Sequence, residues 1–150
     1  MIRVRRAVAA TLGAAALIAG AAHAEPLVTK DQVREITVMM HNAYRYGGAA
    51  EMYEAETECW QDLAAATGDA EVVAAACGIA NVAAATIEAG YAREQGRLPA
   101  MEYRADAAIT RIEERMADNQ FSQASIERMK TETLNPHLGS VLAALSLAGM

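Results

Sequence analysis

Cys59 and Cys77 are the two cysteines of the chain, and their spacing suggests chemistry most directly. Each lies nine residues from Gly68, and this glycine separates two stretches with a helical pattern. In antiparallel helices joined at this glycine, both cysteines would lie about 13 Å from the turn, because each residue adds about 1.5 Å. Equal height allows a disulfide if the side chains face each other. The chain has no C-x-x-C spacing that would indicate a redox or metal pair, so we predict one structural disulfide.

A histidine and several methionines form the candidate metal site. His41 follows Met39 and Met40, and imidazole with soft sulfur suits copper. Adjacent helical residues point about 100° apart and cannot converge on one ion, so a second element would have to complete the site. The residues available for this are Met52, Met116, Met129 and His137. Nothing in the spacing selects these partners. We therefore expect core packing or surface exposure for this group and predict no metal and no cofactor, with copper binding as the alternative.

Acidic residues recur three or four positions apart after Gly48, at Glu51, Glu54, Glu58 and Asp62. Calcium sites usually take oxygen ligands from a turning loop, and di-iron bundles need E-x-x-H elements. The chain contains neither motif. We expect a solvated helix face, and its alternative role is the docking of a basic partner. The amphipathic ring of Tyr46 is a second candidate for contact with that partner.

Catalytic motifs are missing from the sequence. There is no nucleophile-elbow motif and no glycine-rich phosphate loop, since Gly47 and Gly48 form only a two-glycine turn. With the cysteines paired, a serine or threonine would need His41 or His137 as its base. We therefore predict that the protein is not an enzyme.

The first 24 residues have the three parts of a secretory signal. A basic start is followed by an Ala- and Leu-rich stretch from Ala7 to Ala22 and by the small-x-small site Ala22-His23-Ala24. The apolar stretch is short for a bilayer, which needs about 20 residues. We expect cleavage after Ala24, which would place one domain, residues 25–150, in the periplasm or outside the cell.

Cleavage would leave an acidic protein. The Lys and Arg count falls from 13 to 10 against 19 Asp and Glu, so the mature chain carries about −9. Such a charge repels phosphate backbones and anionic lipids. We therefore predict no nucleic-acid partner and no membrane span after cleavage. The expected partner is another protein, and a basic one is allowed, while homo-oligomers stay open.

Helix caps and breakers predict the elements that hold these residues. A capping box at Thr29–Gln32 begins a first helix over 30–46, which Gly47–Gly48 end. A second, amphipathic helix covers 49–67. The third, over 70–95, is apolar on nearly every side, which is typical of a helix at the centre of its domain.

The remaining elements follow from two prolines and a serine cap. Pro99 stands in the first turn of a fourth helix, and Ser122 caps a fifth that runs to Leu134. Asn135–Pro136 should break it, because proline disfavours helical geometry in the preceding residue. The apolar tail over 140–150 should pack on the core or bind a partner.

Together these elements predict an all-α fold, a small antiparallel bundle of four to six helices with the disulfide linking helices 2 and 3. The expected function is that of an exported, non-catalytic protein that binds another protein, as an inhibitor, immunity or accessory protein does. The alternative is a helical bundle that binds a small ligand or copper, with its site between helices 1, 2 and 4.

Overall fold

A computed structural model describes residues 26–65 and 69–149 of the chain. Helices make up 84% of these residues, and no strand is found among them, which confirms the all-α prediction. The predicted signal sequence over 1–24 and the turn at Gly68 lie outside the described residues.

The first helix, α1, spans Lys30–Ala64, where the sequence predicts two helices. The predicted capping box is present, with the Gln32 N–H 3.2 Å from Thr29 Oγ1 and the Thr29 N–H 2.8 Å from Gln32 Oε1. Gly48 has φ 69° and ψ −156°, a conformation that is essentially restricted to glycine. The predicted boundary falls at this kink: the backbone leaves helical geometry at Gly48, and the second helical stretch follows without a connecting loop, so the two predicted helices form one element, α1.

The second helix, α2, spans Ala70–Glu94 and begins at Asp69, whose carboxylate accepts the Glu71 N–H at 3.0 Å. It packs against α1 and against the later helices, so the predicted central position is confirmed. By length and composition alone α2 could also cross a membrane. In the structure, 56% of the most apolar stretch of α2 is buried inside the protein, as in the core helix of a globular protein.

The disulfide between Cys59 and Cys77 joins α1 to α2, with the two Cα atoms 5.7 Å apart. The predicted pairing is therefore confirmed. The helices that it links are the first and second of the structure, rather than the second and third, because the kink at Gly48 leaves α1 as one helix.

The connection after α2 differs from the prediction. The sequence places Pro99 in the first turn of a helix, but Pro99 belongs to no helix, and the chain makes a 3₁₀ turn over Met101–Tyr103 before α3, Ala105–Asp118. Tyr103 is fully buried, and its hydroxyl donates to the Ala49 carbonyl at 3.1 Å. This contact holds the turn against the kink of α1.

Three consecutive helical stretches complete the chain: α4 over Gln123–Arg128, a π-helical turn over Met129–Leu134, and α5 over Asn135–Leu147. The predicted break at Asn135–Pro136 is wrong. Asn135 donates its N–H to the Lys130 carbonyl, five residues back. Proline lacks an N–H and crowds the carbonyl four residues before it, and the wider π turn accommodates both effects. The tail therefore joins α5, which buries Val141 and Leu145 in the core.

Candidate functional site

The second half of α1, residues 49–64, contains five acidic side chains and no Lys or Arg. Four of them are exposed and lie three or four residues apart, so they follow one side of the helix. We call them the acidic strip: Glu51, Glu54, Glu58 and Asp62. None of these four takes part in an ion pair between described residues. Within the part of the chain that the structure describes, the strip is therefore a line of carboxylates without ion-pair partners.

Two exposed tyrosine rings lie on the same helix. Tyr46, the other predicted partner contact, is 84% exposed and precedes the kink. Tyr53 is 44% exposed and lines a shallow depression with Glu54 and Glu58. An exposed tyrosine gives a partner both an apolar ring and a hydroxyl. The structure therefore places the predicted carboxylates and Tyr46 on the surface, where a partner can reach them.

Glu56, the fifth acid of this segment, points into the protein. It is 2% exposed, and its Oε2 lies 3.1 Å from Nη2 of Arg111 on α3. Neither carboxylate oxygen receives a well-directed hydrogen bond from a described side chain. Burial raises the pKa of Glu56 to about 7, although the charge of Arg111 opposes that shift. The result is a buried carboxyl group that changes its charge near neutral pH.

Sequence reasoning missed Glu56 because it lies within the run of exposed acids. The signal was its register: position 56 is four residues after Met52 and four before Trp60, and both of these are buried. Residues four apart share a helix face, so an acid between two core residues has to enter the core. Trp60 donates its Nε1–H to Asn81 Oδ1 at 3.1 Å, which adds a polar group from α2 to the same region.

A second buried carboxylate, Glu88 on α2, is 1% exposed. Arg97 donates to both of its oxygens, at 2.5 and 3.1 Å, and the Ala100 N–H donates to Oε1 at 3.0 Å. These hydrogen bonds, those from Arg97 above all, lower the pKa of Glu88. Arg97 also donates to the Tyr44 hydroxyl at 3.2 Å. Glu88 thus ties the connection to α2, and Arg97 ties the connection to α1.

The predicted metal candidates do not share one face of α1. Met39 is 39% exposed, whereas Met40 and Met52 are fully buried. His41 is 5% exposed, its Nε2 lies 3.0 Å from the Tyr91 hydroxyl, and burial lowers its pKa. Within residues 26–65 and 69–149, no group of three or more His, Cys, Asp or Glu side chains could hold a metal ion.

Comparisons of the chain with models of protein families, with curated proteins and with solved structures give no significant match. Its function therefore has to be inferred from the surface and the chemistry of the residues themselves.

Proposed function

We propose that this is an exported, non-catalytic helical protein that binds a basic protein through the acidic strip. The observation that carries the proposal is four exposed carboxylates along one side of α1, without an ion-pair partner among the described residues. Such a field accelerates the approach of a positively charged partner and selects against acidic ones. A protein that acts in this way works by occupying its partner, as an inhibitor, immunity or accessory protein does.

Export is supported by two independent features. The first 24 residues have the pattern of a secretory signal. Cys59 and Cys77 lie at disulfide distance, and disulfides persist in oxidising compartments such as the periplasm and the cell exterior. Both features support the proposal that the mature protein, residues 25–150, works in one of these compartments.

The test compares two pairs of charge reversals that have the same spacing and the same change in net charge. Glu54→Lys/Glu58→Lys alters the acidic strip, and Glu114→Lys/Asp118→Lys alters exposed positions on α3. Each immobilised protein is incubated with periplasmic extract of the producing cell, and retained proteins are identified by mass spectrometry. We expect a basic protein on the wild type and on the α3 variant. It should be lost from the strip variant and at about 0.5 M salt, which screens exposed charges.

Two outcomes would contradict the proposal. One is a partner that the strip variant retains as well as the wild type does. The other is the absence of any basic protein from the wild-type eluate. Circular dichroism of both variants is the control that checks whether the substitutions leave the helices intact.

Copper or small-ligand binding near His41 is the alternative, and it has less support. Met39 lies on the outside, and Nε2 of His41 already lies 3.0 Å from the Tyr91 hydroxyl. Titration of the mature protein with Cu(I) distinguishes the two functions, because tight binding that is lost in His41→Ala would favour the metal site.

A further inference from the structure

Glu56 connects α1 to α3 from inside the protein. Its side chain is 2% exposed, and its Oε2 lies 3.1 Å from Nη2 of Arg111. Among the ion pairs of the described residues, this is the one between α1 and α3. A group that can gain or lose a proton thus lies at the contact between these two helices.

The groups that face Glu56 come from three elements. From α3 come two cations, Arg111 and Arg115, and from α2 comes the neutral amide of Asn81. The 3₁₀ turn contributes Tyr103, whose ring lies 5.6 Å from the guanidinium of Arg111. Burial raises the pKa of the Tyr103 hydroxyl, so it stays neutral in the pH range where Glu56 titrates. Within this cluster, Glu56 is therefore the group that changes its charge near neutral pH.

Several polar atoms of the cluster lack a well-directed hydrogen bond from a described residue. They are both oxygens of Glu56, Nδ2 of Asn81, and Nε and Nη2 of Arg111. A carboxylate in such a place has lost its water without full replacement by hydrogen bonds, so its ionised form is disfavoured. A state in which water reaches Glu56 therefore becomes more favourable when the group ionises.

The helix that can move to admit this water is α3. The other two helices around Glu56, α1 and α2, are joined by the disulfide between Cys59 and Cys77. α3 has 14 residues, of which three are buried: Ala108, Ile112 and Met116. A short element with few buried side chains is typical of the parts of a protein that open locally.

The ends of α3 also favour movement as a unit. Arg104, which precedes the helix, has an extended backbone, and Gln120, which follows it, has a positive φ of 64°. The ion pair between Glu113 of α3 and Lys130 of the π turn is partly exposed, and such pairs add little to stability. α3 is thus a short helix between two non-helical connections.

We propose that Glu56 makes the packing of α3 sensitive to pH: ionisation of this carboxyl group favours an open state in which α3 moves away and water reaches the cluster. Glu56 binds its proton more tightly in the closed state than in the open one, so acid favours the closed state. Because its pKa is about 7 when buried and near 4.5 in water, the open fraction should rise between these pH values. The charge of Arg111 opposes this opening, but burial has the larger effect.

Opening of α3 would uncover the apolar side chains beneath it, Ile112 and Met116. The fold would then contain a second surface, apart from the acidic strip, whose exposure is controlled by pH. This inference goes beyond the proposed function and does not depend on it.

Native-state hydrogen exchange of the mature protein measures the opening. Rates are recorded by NMR between pH 4.5 and 8, without urea and in low urea, and are corrected for intrinsic exchange. The amide of Ile112 reports on α3, and the amide of Ala83 reports on the centre of α2. A local opening exposes less surface than global unfolding, so the α3 amides should exchange faster than those of α2 and depend less on urea.

We expect the open fraction of α3 in the wild type to rise by up to about 300-fold between pH 4.5 and 8. Glu56→Gln keeps the shape of the side chain and cannot ionise, so its corrected α3 exchange should not change with pH. Glu54→Gln, at an exposed position of the same helix, is the matched control and should behave as the wild type does.

Three results would overturn the inference. Exchange of the α3 amides at the same rate as those of α2 would show that α3 opens only when the whole protein unfolds. Corrected α3 exchange that is independent of pH in the wild type would show that Glu56 does not control the opening. A pH dependence that persists in Glu56→Gln would assign it to another group. The first two results need only the wild type, so they decide the question even if the variant does not fold.

Discussion

Glu56 of α1 and Arg111 of α3 form a buried ion pair, with Oε2 and Nη2 3.1 Å apart. Arg111 also donates to the Glu102 carbonyl at 2.6 Å, and its guanidinium lies 5.6 Å from the centroid of the Tyr103 ring. Taking both charges out of water costs several kcal/mol, which their attraction offsets only in part. The pair therefore fixes how α3 lies on α1 more than it adds to stability.

The buried position of Glu56 predicts that its contribution to stability falls as the pH rises. Burial raises its pKa from 4.5 to about 7, so the folded protein holds this proton more tightly than the unfolded chain does. The stabilisation is present below about pH 4.5 and is lost as the pH rises to about 7. The shift corresponds to about 3 kcal/mol.

Urea unfolding of the wild type and of Glu56→Gln across this pH range measures the effect. Glutamine cannot ionise, so the variant does not lose stability through this ionisation. The free energy of unfolding of Glu56→Gln, relative to that of the wild type, should therefore rise by about 3 kcal/mol between pH 4.5 and 8. Any constant effect of leaving Arg111 unpaired cancels in this comparison. Glu54→Gln, an exposed position on the same helix, is the control. A difference between wild type and Glu56→Gln that does not change with pH would contradict the prediction.

The disulfide should contribute about 3 kcal/mol to stability, because it closes a loop of 18 residues in the unfolded chain. We expect Cys59→Ser/Cys77→Ser to lower the free energy of unfolding by this amount. A reducing agent should destabilise the wild type similarly and leave the double variant unchanged. Mass spectrometry of the mature wild type under non-reducing conditions provides the direct check, and two free thiols would contradict the assignment.

Features that depend on near neighbours in the chain were predictable from sequence. The capping box at Thr29 and the cap at Asp69 use contacts two or three residues apart, and the position of α2 at the centre follows from its composition. The cysteine pairing follows from the equal distance of both cysteines from the predicted turn between their helices. All of these need only the helical repeat and the chemistry of the caps.

Features set by distant parts of the chain were not predictable in the same way. Gly48 permits either a helix end or a kink. The contact that holds the kink joins Tyr103 to Ala49, which are 54 residues apart in the sequence. Pro136 permits either a break or a π turn. Of the candidate site, the acidic strip and Tyr46 followed from spacing and polarity, whereas the pairing of Glu56 with Arg111 depends on how α3 packs against α1.

The kink makes Gly48 sensitive to substitution. Its φ of 69° and ψ of −156° are strained for any residue with a Cβ, although nothing lies within 4 Å of that position. We expect Gly48→Ala to cost about 1–3 kcal/mol through backbone strain alone. Gly139→Ala, within α5 and equally free of neighbours, is the matched control and should stabilise by about 0.5–1 kcal/mol. Equal effects in thermal unfolding would show that Gly48 is not held in this conformation.

Glu88 should hold the connection after α2 in place, because it accepts hydrogen bonds from Arg97 and from the Ala100 N–H. Its Oε1 accepts the Ala100 N–H at 3.0 Å, and charged acceptors of this kind contribute about 1.5–3 kcal/mol. We expect Glu88→Gln to speed hydrogen exchange of the Ala100 amide about tenfold or more. Glu94→Gln, at an exposed position of α2, should leave it unchanged.

Acid should weaken the hydrogen bond from the Ala100 N–H to Glu88, as the Glu88→Gln substitution does. The pKa of Glu88 is lowered by Arg97, so the stabilisation is complete above the ordinary pKa of 4.5 and is lost as the pH falls through the lowered folded value. After correction for intrinsic exchange rates, protection of the Ala100 amide should therefore decrease in acid in the wild type and much less in Glu88→Gln. Parallel loss in both proteins would show that another group controls the connection. In that case the connection would owe its position to the Tyr103 contact with α1.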